Sequence, residues 1–123
     1  MALSKTFPRV AVIGGGGYIG TRVVSHLLGE GYQVRVFDNF TYGMDGLTSL
    51  AQTGQPGAER LEILEGDICD TKAVSEAVED CECVVLLAAI VGHRVKEVQN
   101  RVVREVNLLS SSVVLDAAIE HGA

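Results

Sequence analysis

The sequence has no tryptophan and, among its 123 residues, only three cysteines and two prolines. Cys69, Cys81 and Cys83 are too few and too irregularly placed for a disulfide framework. Cys81-Glu-Cys83 lacks the Cys-x-x-Cys spacing of a redox motif, and no second pair completes a zinc site. His26, His93 and His121 are scattered, so ordinary reduced thiols and no metal are expected. No apolar run reaches the roughly 18–20 residues that span a bilayer. Residues 1–9 lack the apolar centre of a signal peptide, so the reading is a cytoplasmic protein with no membrane partner. Cations are also scarce. Ten Lys and Arg face sixteen Asp and Glu, a net charge of −6, which leaves little to neutralise nucleic-acid phosphates.

Hydrophobic residues make up 47% of the chain and charged residues 21%, the composition of a folded core. The length fits one domain over residues 1–123. Glycine is plentiful, with fourteen in the chain and four consecutive at Gly14, Gly15, Gly16 and Gly17. The apolar run Val10-Ala-Val-Ile13 leads into them, and Gly20 follows at the start of an amphipathic segment. This order predicts a buried strand, a tight turn and a helix whose N–H groups and dipole face an anion. Gly14, Gly17 and Gly20 satisfy Gly-x-x-Gly-x-x-Gly, while Gly15, Gly17 and Gly20 satisfy Gly-x-Gly-x-x-Gly. The second pattern alone is weak in so glycine-rich a chain; the strand before it and the helix after it give it weight.

Residues 9–13 read as the first strand and residues 18–29 as a helix with an Ile19, Val23, Leu27 and Leu28 stripe. Residues 33–37 alternate as a second strand, with Asp38 at its end, eighteen positions beyond Gly20. Residues 39–57 predict a long loop holding a short helix over 47–52, and residues 60–64 a third strand. Thr71 is expected to cap a helix over 71–80, and the aliphatic run 83–91 predicts a fully buried strand. Residues 95–121 read as mostly helical, with Val102, Val106, Leu109, Val113 and Ala117 on one face. Alternating strands and helices imply an α/β, Rossmann-like, doubly wound parallel sheet of order 3-2-1-4. That order leaves the strand near residue 83 at an open edge, which predicts pairing with further polypeptide or with a second copy in a homo-oligomer.

A carboxylate at Asp38 suits the two ribose hydroxyls of an adenosine and repels a 2′-phosphate, which favours NAD over NADP. Arg35, within the same strand, is expected to point away, although its charge keeps NADP open.

Four stretches in order carry a resemblance: Gly14-Gly-Gly-Gly-Tyr-Ile-Gly20, Asp38-Asn-Phe-Thr-Tyr-Gly43, Gly66-Asp-Ile68 and Leu87-Ala-Ala89. Together with Asn107 and the later Leu115-Asp-Ala-Ala118, they resemble the extended short-chain dehydrogenase/reductases, above all the NAD-dependent sugar-nucleotide epimerases and dehydratases. The resemblance implies that Tyr18 and Ile19 give backbone N–H groups to a pyrophosphate. It also implies that Asp38 and Asn39, with Gly43, hold the adenine ribose, and that Asp67 and Ile68 meet the adenine edge. Leu87, Ala88 and Ala89 would line the nicotinamide-side ribose and phosphate, and Asn107 would brace the strand ends. Each has a plainer alternative. Asp67 could cap the helix near Thr71, Leu87–Ala89 could be core, and Asn107 could simply satisfy backbone.

The family's chemistry uses Tyr-x-x-x-Lys. Here Tyr18, Tyr32 and Tyr42 are followed four residues later by Arg22, Val36 and Gly46, so no such pair exists. The resemblance therefore implies the cofactor-binding portion of an enzyme whose substrate is a nucleotide sugar, inactive as this chain alone. The other reading is a non-catalytic nucleotide-sensing module, similar to the NAD-binding regulatory domains of potassium channels. His93, Arg94 and Lys96 follow the fourth strand without a paired nucleophile or base.

Overall fold

Four short apolar runs lie side by side in the computed structural model, which describes residues 8–90 and 94–123. They are β1 (Arg9–Ile13), β2 (Gln33–Asp38), β3 (Leu61–Glu65) and β4 (Cys83–Leu86), all parallel, in the order β3-β2-β1-β4. The predicted order is thus observed. Helix α1 (Tyr18–Gly29) connects β1 to β2, α2 (Asp45–Gln52) lies in the following connection, and α3 (Thr71–Val78) precedes β4. Beyond β4 come α4 (Arg94–Glu97), α5 (Asn100–Arg104), a π-helical turn over Glu105–Leu109 and α6 (Ser110–Glu120).

The two-residue period of the strands divides the core. Val10 and Val12 of β1 and Val34 and Val36 of β2 pack with Val24, Leu28 and Leu47 from α1 and α2. The alternate residues Ala11, Ile13 and Phe37 face the other way, onto Val74, Ala77 and Val78 of α3 and Val114 and Ala117 of α6. Burial of each such aliphatic side chain contributes about 1.5–3 kcal/mol before ordering costs.

Arg35 follows the same alternation and lies on the α3 side. Its guanidinium donates to the carbonyls of Ala77 (3.1 Å) and Glu79 (2.6 Å) and pairs with Glu62 (2.9 Å). A cation at the carboxyl end of α3 satisfies carbonyls that the helix cannot. Arg35→Ala is therefore expected to lower stability by about 2 kcal/mol, the scale of hydrogen bonds to a charged group. Urea denaturation measures it.

Four expectations are corrected. The fourth strand ends at Leu86 rather than at residue 91. The N–H groups of Leu87 and Ala88 both turn to the carbonyl of Ile13 (2.8 and 3.1 Å), where β1 leaves the sheet and the ladder loses its partner. Nor is that strand fully buried: at the sheet edge Cys83, Val84 and Val85 are half-buried and Leu86 is exposed. Residue 91, the last of the expected strand, lies outside the described residues, as does His93.

The cap of α3 is Asp70, not Thr71. Its carboxylate accepts from the N–H groups of Lys72 (3.1 Å) and Ala73 (3.2 Å). The apolar stripe of the last helix also slips. Leu109 is exposed, and Ser110 takes the inward position, donating to the carbonyl of Val106. A π-helical turn carries one residue more than an α-turn, so the inward face recurs one position later.

Candidate functional site

The carboxyl ends of the strands open into a cleft of about 550 Å³. It lies where the strand order reverses between β1 and β4, the place where open parallel sheets take ligands. One wall is the glycine turn. Gly14 adopts φ +90°, and a Cβ there would lie 2.5 Å from the backbone nitrogen of Ala88. A Cβ on Gly20 would meet the carbonyl of Gly14 at 2.4 Å, so the first turn of α1 rests directly on the loop. Gly17 faces open space, with no atom nearer than 3.8 Å to its built Cβ. Tight turn, open approach and close helix packing thus fall to Gly14, Gly17 and Gly20, while a Cβ on Gly15 would lie 2.8 Å from the buried Val36, so glycines of both frames are needed.

Gly17 occupies the cap position of α1 but offers no side chain, and the first turn carries no acid. Helix α3, by contrast, has its start closed by Asp70. The leading N–H groups of α1 are left for something outside the chain.

Across the turn, Asp38 is held by two backbone donors. Its Oδ2 accepts from Gly16 N–H (3.0 Å) and its Oδ1 from Phe40 N–H (2.9 Å). Each oxygen retains further acceptor capacity toward the cleft. Phe40 sits in the left-handed region at φ 55°, a conformation that the bond to Asp38 helps to hold. Asn39 turns its Oδ1 to the N–H (3.0 Å) and hydroxyl (2.7 Å) of Thr41. Asp67 Oδ1 accepts from Cys69 N–H (2.8 Å), so it shapes its own loop and does not cap α3. Asn107, in the π-helical turn, accepts from the N–H of Ile90 (2.6 Å) and donates to its carbonyl (2.7 Å), clamping the segment beyond β4 at both polar groups.

Of the residues singled out from sequence, Gly14, Gly17, Asp38, Asn39, Asp67, Ile68, Leu87, Ala88 and Ala89 line one cleft. Tyr18, Ile19 and Gly20 lie just beyond the turn, the first two with exposed side chains. Gly43, at φ +85°, stands outside the lining. Asn107 stands behind the lining, through Ile90. The sequence reading missed Cys69, Val102, Glu105 and Val106, which form part of the wall. The motif Gly66-Asp-Ile68 runs directly into Cys69 and was a usable signal for it. The sequence stripe includes Val102 and Val106, but nothing in it marks them as cleft-facing.

Burial pushes the Cys69 thiol above its usual pKa, and Asp67 and Glu105 add to the rise. Asp67 touches Cys69 through its N–H, and Glu105 lines the same cleft. The raised pKa leaves less thiolate at neutral pH, so alkylation is expected to be slow there and to accelerate in the alkaline range. A ligand filling the cleft should protect Cys69. Mass spectrometry of iodoacetamide-treated protein, with and without a dinucleotide, measures both effects.

Among the described residues no three His, Cys, Asp or Glu side chains gather as a metal site, and no helix is long and apolar enough to cross a membrane.

A parallel sheet with its glycine turn and open helix start at the order reversal defines a doubly wound nucleotide-binding domain. Comparison with known proteins narrows this. The profile of the 3-beta hydroxysteroid dehydrogenase/isomerase family matches residues 11–123, and the chain belongs to that family. This places it among the extended short-chain dehydrogenase/reductases, as its motifs led one to expect.

The 3 beta-hydroxysteroid dehydrogenase/Delta 5-->4-isomerase of Mycobacterium tuberculosis is 33% identical over 90 residues, covering 73% of this chain and 21% of the relative. UDP-arabinose 4-epimerase 1 of Arabidopsis thaliana is 32% identical over 115 residues, 92% of this chain and 27% of the relative. Among solved structures, a double mutant of the dTDP-glucose 4,6-dehydratase DesIV of Streptomyces venezuelae, crystallised with NAD, superposes with a TM-score of 0.78 at 26% identity. That match covers 94% of this chain and 37% of the dehydratase. The chain thus spans about a fifth to a quarter of the length of these curated relatives.

Proposed function

We propose that this chain is the NAD-binding portion of an NAD-dependent epimerase or dehydratase that acts on a nucleotide sugar. The observation that carries the reading is the uncapped start of α1, opening on the same cleft as the strand-end carboxylate of Asp38. The cleft fits a dinucleotide. Gly17 leaves room for a phosphate, and the N–H groups of Tyr18 and Ile19 lead the helix that would bind it.

Asp38 and Asn39 would take the adenosine ribose, and Asp67 and Ile68 the base. Leu87, Ala88 and Ala89 would flank the nicotinamide half, with Asn107 fixing the adjoining backbone through Ile90. NAD is preferred over NADP for two reasons. The Asp38 carboxylate opposes a 2′-phosphate, and Arg35, the cation of the same strand, is committed to the carboxyl end of α3. Bound NAD would supply a hydride acceptor. Proton transfer needs a base that these residues do not provide, since no Tyr-x-x-x-Lys occurs among them. The chain alone is therefore expected to bind and not to turn over substrate.

The sugar-nucleotide assignment rests on the long connection between β2 and β3 and on the likeness to the UDP-arabinose 4-epimerase. It is tested on the longer polypeptide that contains this chain. Conversion of UDP- or dTDP-linked pentoses or hexoses with NAD present supports it, and conversion of a 3-hydroxysteroid alone overturns it.

We also propose that the β4 edge is paired in the working protein. The β3 edge carries Glu62 and Glu65, whereas Cys83–Leu86 at the other edge is uncharged. Sedimentation of the isolated chain is expected to show self-association.

A further inference from the structure

Glu105, the first residue of the π-helical turn, lines the cleft, and its place there is informative. Glu105 shares the cleft with Asp67, Ile68 and Cys69 of the loop that follows β3, and its charge reaches the Cys69 thiol. In the order β3-β2-β1-β4 that loop lies on the Asp38 side of the glycine turn, away from the β4 segment. On the cofactor reading above, this is the base end of the dinucleotide. The walls there are Ile68, Val102 and Val106, apolar surfaces suited to the faces of a flat ring. Glu105 is the polar group that α5 and its π-helical turn contribute to the lining. Its Oε1 accepts from the exposed Arg101 at 2.8 Å, which steadies the carboxylate, and Asn107 anchors the same turn to Ile90.

We infer that Glu105 is a specificity-determining residue that selects a base bearing an exocyclic amino group, by accepting a hydrogen bond from it. A carboxylate accepts and does not donate. An adenine amino group can satisfy it. A keto oxygen in the same position, as in hypoxanthine, presents a second acceptor and leaves both groups unpaired in a partly desolvated slot. The inference rests on the dinucleotide reading and deepens it.

The test compares NAD with nicotinamide hypoxanthine dinucleotide by calorimetric titration of the wild-type protein and three variants. The wild type is expected to prefer NAD by about tenfold or more, the scale of one hydrogen bond to a charged group. Glu105→Met keeps the bulk, removes this acceptor while leaving that of Asp67, and should lower the preference several-fold. Glu105→Gln can orient a carbonyl and should retain part of it. Arg101→Ala removes only the exposed partner and should leave the preference in place. Because Glu105 is 37% exposed, its substitutions are compatible with folding.

Tight NAD binding with an unchanged base preference in Glu105→Met overturns this inference alone. Failure of either dinucleotide to bind the wild type overturns the cofactor reading, and this inference with it.

Discussion

Replacing Gly20 with valine is expected to abolish dinucleotide binding and to lower the stability of the whole domain. The position carries no positive φ, so the penalty is purely one of contact. A Cβ at Gly20 would lie 2.4 Å from the Gly14 carbonyl oxygen and 2.7 Å from the Gly15 Cα. Both are backbone atoms of the turn, which is pinned in turn by the approach of Gly14 to Ala88. No flexible side chain can yield. Helix α1 must lift away from β1, and Val24 and Leu28, two fully buried residues on its inner face, move with it. Overpacking of this kind costs about 3 kcal/mol, a large part of the 5–15 kcal/mol typical of a domain. The leading N–H groups move with the helix, so binding should fail even in the fraction that remains folded. Thermal unfolding and NAD titration of Gly20→Val measure the two consequences separately. Gly20→Ala meets the same atoms with the same Cβ and should show most of the stability loss.

Asp38→Ala should weaken NAD binding by about ten- to a hundredfold, the range for hydrogen bonds to a charged group, while NADP loses far less. Two effects combine. The ribose hydroxyls lose their acceptor, and the N–H groups of Gly16 and Phe40 lose theirs. The second effect loosens the turn and the left-handed Phe40 for either cofactor. Asp38→Asn separates them, because an amide oxygen still serves one backbone donor but carries no charge to repel a 2′-phosphate. If the charge sets cofactor choice, Asp38→Asn narrows the NAD/NADP ratio almost as far as Asp38→Ala while binding NAD better. Equal affinity of the wild type for NAD and NADP would remove the case for Asp38 as the selecting group.

Where local pattern and tertiary arrangement agree, the sequence was enough. The bounds of β1 and α1 follow from an apolar run, a glycine turn and an amphipathic stripe, and the structure reproduces them. The sheet order follows from alternating strands and helices with right-handed crossovers. The end of β4 was not legible, because Leu87, Ala88 and Ala89 are as apolar as the strand before them. What stops the ladder is the departure of β1 at Ile13, a fact about a neighbour and not about residues 87–89.

The last helix shows a second kind of limit. A period of 3.6 predicts Leu109 inward, and the π-helical turn at Glu105–Leu109 moves that place to Ser110. Asn107 shows the converse. A polar residue on an apolar face announces a buried hydrogen bond, but only the structure shows that its partners are the N–H and the carbonyl of one residue, Ile90. The glycines of the turn are legible as a set, while the separate task of each needs the contacts of its Cβ.

Whether the cleft between the glycine turn and Asp38 holds NAD is tested most directly by calorimetric titration of NAD into the wild-type chain. Saturable binding at one site per chain is expected, with NADP weaker and with Cys69 protected from alkylation as the site fills. A titration that shows no saturable NAD binding by the folded chain would contradict it.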